Sequence, residues 1–133
     1  MSHPGIIEVE ARSYELDPYG HLNNAVYVNW LEHGRLCYLR SRDLSYMSVP
    51  EKFGVRVVVV RLDLSYKAPV HLGDRLRVTS HIDRFGRTSF RFRQVIDFAD
   101  GGPAAEADVT MVCVDDEGRP APMPPALRER LEN

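Results

Sequence analysis

Cysteine is scarce in this chain, and the two present, Cys37 and Cys113, show no metal or redox spacing. One falls in a helical pattern and the other in a strand pattern, which reads both as buried free thiols and suits a reducing cytoplasm. Long apolar runs are missing too. The longest strongly apolar run is Val57–Val60, far short of the roughly 20 residues that span a membrane, so no membrane partner is expected. The start, Met1-Ser2-His3-Pro4-Gly5, lacks the basic stretch and apolar core of a signal peptide. The formal charge of -2 lacks the basic excess of a generic nucleic-acid binder. His3, His21, His33, His71 and His81 show no metal-ligand spacing. Neither a Gly-x-Ser-x-Gly elbow nor a phosphate-cradling glycine loop occurs. No metal and no cofactor is expected.

What is present is 133 residues, 44% of them apolar. That fits one globular domain, taken as residues 1–133. Ile7 to Arg12 alternates as a strand should. A loop, Asp17-Pro18-Tyr19-Gly20, follows. A helix is predicted from about Asn24 to Arg42, with Tyr27, Trp30, Leu31, Gly34, Cys37, Tyr38 and Ser41 on one face and Asn23 or Asn24 as its cap. Gly34 costs about 1 kcal/mol inside a helix relative to Ala, which predicts close approach of a sheet there.

A polar linker carrying Pro50 and Gly54 precedes four strands, about Arg56–Tyr66, Arg75–Asp83, Arg87–Phe98 and Ala104–Val114. A short helix over Ala126–Leu131 closes the chain. One helix cannot cover both faces of five antiparallel strands. The expected α+β fold therefore wraps the sheet around the helix and leaves the remainder to a second subunit.

For the second and third of these strands, a three-residue loop Arg84-Phe85-Gly86 sets Val78 opposite Phe92, Ser80 opposite Phe90 and Leu76 opposite Gln94, with Gly86 in the left-handed position. The other face then sets Arg77 against Arg93. Either Asp63 or Asp108 on a neighbouring strand compensates, or an anion binds.

The segment with chemical content is Asp17-Pro18-Tyr19-Gly20-His21-Leu22-Asn23-Asn24. A carboxylate stands just before a helix whose first N–H groups are free and partially positive. Such a carboxylate acts as general base or nucleophile, and the N–H groups hold a developing oxyanion, which together suit acyl transfer. The same residues also make a good turn and an ordinary helix cap. Glu32 is a rival carboxylate on the helix; with Arg35 three residues on, the preferred reading is an ion pair. Arg75 to Arg93 holds six arginines against one acid, Asp83. That excess either holds phosphates or forms a solvated sheet face; Arg84, Arg87 and Lys67 are the phosphate candidates.

The chain resembles the hotdog thioesterases related to hydroxybenzoyl-CoA thioesterase. The resemblance runs through the Asp-x-x-Gly-His-x-Asn-Asn loop, the helix with Glu32 and Arg35, Tyr66-Lys67-Ala68-Pro69, Gly73-Asp74, Gly86-Arg87-Thr88-Ser89 and Val114 to Pro120. It implies a hotdog fold, a homodimer or homotetramer with sites at the subunit interface, and hydrolysis of an acyl-CoA to a free acid and coenzyme A. The catalytic carboxylate then falls at Asp17 and the carbonyl-polarising N–H near Asn24, with Gly20, His21 and Tyr27 beside the substrate. The loop is also similar to that of the plant acyl-carrier-protein thioesterases, although Tyr19 replaces the asparagine expected two residues after Asp17. His21 then positions water or substrate, or bonds the backbone. The alternatives are an acyl-carrier-protein substrate, a lyase of the hotdog dehydratase branch, or a non-catalytic acyl-thioester binding module.

Overall fold

The computed structural model describes residues 3–132. β1 (Gly5–Glu10) leads through a 3-10 turn (Ser13–Glu15) and the Asp17 loop into α1 (Asn24–Arg40). After α2 (Ser48–Phe53) come β2 (Arg56–Tyr66), β3 (Arg75–Phe85), β4 (Ser89–Phe98), β5 (Pro103–Val114) and α3 (Pro125–Glu132). The strands form one antiparallel sheet in the order β1-β3-β4-β5-β2. This is the α+β arrangement expected, a sheet curled around one long helix. α2 corrects the linker reading: Ser48–Phe53 is a helical turn and a half, closed by Gly54 in the left-handed region (φ 75°).

Alternation decides which side chains meet α1. Leu76, Val78, Ser80 and Ile82 of β3, and Phe90, Phe92, Gln94 and Ile96 of β4, are buried. α1 buries Tyr27, Trp30, Leu31, Gly34, Arg35, Tyr38 and Leu39 against them. Cys37 is half-buried and Ser41 exposed, so the buried stripe turns toward Arg35 and Leu39 instead. Gly34 does admit the sheet: a Cβ there would lie 3.0 Å from Ser80 Oγ and 3.1 Å from Gln94 Nε2.

The β3–β4 register differs from that expected. Val78 faces Ile96, Ser80 faces Gln94 and Leu76 faces Phe98, a slip of four residues. An even slip keeps every side chain on its face. The turn lies further on than Arg84-Phe85-Gly86: the Gly86 N–H donates to Ser89 O at 2.7 Å, and a bulge interrupts pairing between Ile82 and Arg84. Gly86 is absent from the positive-φ glycines. Its small size matters because a Cβ would meet Ser89 Oγ at 2.7 Å.

The charge pairing changes with the register. Arg77 lies between Glu8 and Asp97, not against Arg93. Arg93 bonds Glu106 at 2.7 Å and Asp108 at 3.3 Å, so Asp108 is a compensating acid. Within the β3–β4 pair Arg84 stands opposite Arg91, and Arg91 is neutralised by a two-point contact with Asp83.

β2 is an edge strand with an open face. Its side chains opposite the core residues of β5 stay open to solvent, with Val59 46%, Leu62 39% and Tyr66 49% exposed. No helix of the described residues is long and apolar enough to cross a membrane.

Candidate active site

The Asp17 loop is a tight hairpin closed by a bridge between Leu16 and Leu22. The Asp17 N–H donates to His21 O at 2.7 Å, and the Gly20 N–H donates to Asp17 O at 3.0 Å. Gly20 takes the left-handed conformation (φ 81°) that this reversal requires. Asp17 Oδ1 accepts the N–H groups of Tyr19 (2.9 Å) and His21 (3.1 Å). These bonds fix the carboxylate and leave Oδ2 without a hydrogen bond among the described residues. The turn reading and the carboxylate reading are therefore the same structure: one oxygen builds the turn and the other is left without a hydrogen bond among the described residues.

The loop is anchored to the body at three points. The Leu22 N–H donates to Val70 O at 2.8 Å, the Asn23 N–H donates to Glu15 O at 2.8 Å, and His21 bridges His71, their rings edge to face at 5.1 Å. Asn23 caps α1 by accepting the Ala25 N–H at 2.9 Å, and Asn23 O accepts the Val26 N–H at 2.9 Å. The Asn24 N–H has no acceptor among the described residues. It is the free donor of the first turn, at the positive end of the helix.

Beneath the loop, Tyr27 is buried and packs edge to face on Tyr66 at 4.9 Å. The Tyr66 hydroxyl reaches Asn24 O at 3.5 Å. Burial raises the pKa of Tyr27 above that of an ordinary tyrosine, and the nearby Tyr66 and Asp17 add to the rise, so its hydroxyl stays protonated. Sequence reasoning missed Tyr66 as a site residue, although its segment carries part of the resemblance. Only the sheet brings it beside α1.

The remaining candidates separate. Lys67 follows Tyr66 at the Asp17 end of the sheet and faces Glu106 at 3.7 Å. Arg84 and Arg87 sit at the other end. Arg84 lies eight residues along β3 from Leu76, roughly 26 Å at strand spacing. Arg84 lines a cleft of about 350 Å³ with Arg61, Ser89 and Thr110. The clefts beside Trp30 and His33 (about 670 Å³) and beside His71 (about 500 Å³) also exclude Asp17.

The expected Glu32–Arg35 pair does not form. Arg35 is 5% exposed and donates from Nη1 to Gln94 Oε1 at 3.0 Å, while Glu32 is exposed. Helical rotation puts Arg35 on the buried stripe and Glu32 off it. Among the described residues, no three His, Cys, Asp or Glu side chains are grouped to hold a metal.

Residues 11–131 match the profile of the Thioesterase-like superfamily. The chain is 34% identical over 128 residues to the long-chain acyl-CoA thioesterase FadM of Escherichia coli, covering 94% of this chain and 95% of that protein. It is 33% identical over 101 residues to the acyl-CoA thioester hydrolase YbgC of Escherichia coli, with 76% and 75% covered. Among solved structures, a Thermus thermophilus thioesterase complexed with coenzyme A and Zn superposes with a TM-score of 0.82 at 34% identity, covering 95% of this chain and 90% of that one. A 1,4-dihydroxy-2-naphthoyl-CoA thioesterase from Synechocystis shares the fold, with a TM-score of 0.87 at 21% identity and 97% and 96% covered. The chain belongs to the Thioesterase-like superfamily and is a hotdog-fold thioester hydrolase.

Proposed function

We propose that the chain hydrolyses an acyl-CoA thioester to a free carboxylic acid and coenzyme A, with Asp17 as the catalytic carboxylate. The observation that carries this reading is a carboxylate locked through Oδ1, with Oδ2 unbonded, in the loop that leads to the unpaired Asn24 N–H. Asp17 takes a proton from water as the water oxygen attacks the thioester carbonyl carbon. The carbonyl oxygen gains negative charge and is held by the Asn24 N–H. Collapse breaks the C–S bond, and the departing thiolate takes up the proton. Gly20 and His21 flank the thioester, and Tyr27 with Tyr66 walls it from below. A carboxylate attacking the carbonyl directly leads to the same products through an anhydride that water then opens.

The site is shared between subunits of a homodimer or homotetramer. The open apolar side of β2 supports this. Lys67, Arg84 and Arg87 hold the phosphates of coenzyme A. Because Arg84 and Arg87 stand far from Asp17 in one chain, they serve the site of a neighbouring subunit. The free thiols Cys37 and Cys113 suit the cytoplasm. Free-thiol release from a panel of acyl-CoAs, repeated with the same acyl groups on acyl-carrier protein, tests the reading. Release from the CoA thioesters is expected; release from carrier protein alone reassigns the substrate, and release from neither leaves a binding module.

A further inference from the structure

Beneath the middle of α1 lies a polar cluster that the thioesterase chemistry does not use. Ser80 and Gln94 are fully buried, and Arg35 is nearly so. Arg35 donates from Nη1 to Gln94 Oε1 at 3.0 Å. Gln94 Nε2 donates to Leu31 O at 2.9 Å and to Ser80 Oγ at 2.8 Å. The orientation of the amide is forced: guanidinium has only donors, so the carbonyl end must face Arg35 and the NH2 end must face Leu31 and Ser80. Arg35 Nε has no hydrogen bond and no acid neutralises the group among the described residues, an arrangement that is costly for stability.

All the contacts fall on one helical turn. Leu31 O is the carbonyl that an α-helix bonds to the N–H of residue 35, and Gln94 adds a second donor to it. Gly34, within the same turn, brings its backbone onto Ser80, Gln94 and Val78. Residues 31–35 thus hold the middle of α1 against β3 and β4 by contacts of its own backbone. Asn24 begins the same helix seven residues earlier, about 10 Å away at 1.5 Å per residue.

We infer that Gln94, oriented by Arg35 and Ser80, is a positioning residue that fixes the first turn of α1, and with it the Asn24 N–H, against the Asp17 loop. The inference rests on the oxyanion role assigned to Asn24. Gln94→Leu keeps the volume and removes the donor to Leu31 O. Misplacing a catalytic group by an ångström costs up to about 10²-fold, so kcat is expected to fall roughly 10-fold with KM within about twofold. Amide exchange at Ala25 and Val26 should accelerate more than at Ser41, at the other end of the helix. Gly34→Ala, which pushes the same turn off the sheet, should reproduce both effects and substitutes for Gln94→Leu should that variant not fold. Unchanged relative exchange at Ala25 and Val26 in the folded variant overturns the inference, whatever happens to Tm. Accelerated exchange with unchanged kcat upholds the positioning and instead removes Asn24 from the mechanism.

Discussion

Asp17 and His21 are bonded to each other twice through the backbone: the Asp17 N–H donates to His21 O at 2.7 Å, and the His21 N–H donates back to Asp17 Oδ1 at 3.1 Å. The carboxylate is therefore held by main-chain atoms, and the His21 imidazole is left out of that duty. It lies exposed against His71. His21→Ala should keep the loop intact, so any loss of turnover in it reports on the ring alone.

Asp17→Asn keeps the Oδ1 acceptor that shapes the hairpin and removes the charge and basicity. General-base catalysis is worth about 10² to 10⁴ in rate. We expect kcat to fall at least 10²-fold by that measure, with KM and Tm little changed. Glu32→Gln should have a much smaller effect. Near-normal turnover in Asp17→Asn together with loss in Glu32→Gln would move the chemistry to the helix.

Charge reversal at Arg84 and Arg87 should raise KM for coenzyme A thioesters and leave short pantetheine thioesters nearly unaffected. Only the former carry the phosphates that an arginine recognises as a charged, bidentate partner. Equal effects on both substrates would remove these residues from the binding surface.

The open side of β2 carries Val59, Leu62 and Tyr66, each well exposed, and exposed apolar edge strands invite pairing with another chain. Light scattering should give at least twice the 15.2 kDa chain mass. Leu62→Asp should lower the mass toward the monomer and abolish turnover together. An active monomer would show that one chain completes the site alone.

Arg91 grips Asp83 at 3.0 and 2.8 Å and holds its carboxyl below the ordinary aspartate range, chiefly through those bonds. A group whose pKa is lowered by folding stabilises above its unfolded value, about 3.9, and that share is lost as pH falls through the folded value. Arg91→Met should therefore lower Tm at neutral pH. The gap from the parent should begin to shrink below about pH 4 and close once the pH is low enough to protonate Asp83 in the parent as well. A gap that is independent of pH would assign the loss to packing rather than to the ion pair.

Local features of this protein were legible in its residues. The Asp17 hairpin is made by bonds spanning two to four residues, and the cap at Asn23 acts two residues ahead. Spacing alone exposes such contacts. The alternation of β3 and β4 likewise fixed which side chains face α1, because a period of two is a property of each strand by itself. The pairing of those strands was decided by the turn beyond Gly86 and the bulge near Asp83. A slip of four preserves the alternation, so the pattern could not distinguish one register from another. Arg35 shows the same limit. Its spacing from Glu32 fits an ion pair, yet its actual partner is Gln94, 59 residues away, and Tyr66 comes to Asn24 from 42 residues away. Chain periodicity determines the direction a side chain leaves its own element. What it meets there depends on how the elements pack, and that is settled only when the sheet closes over the helix.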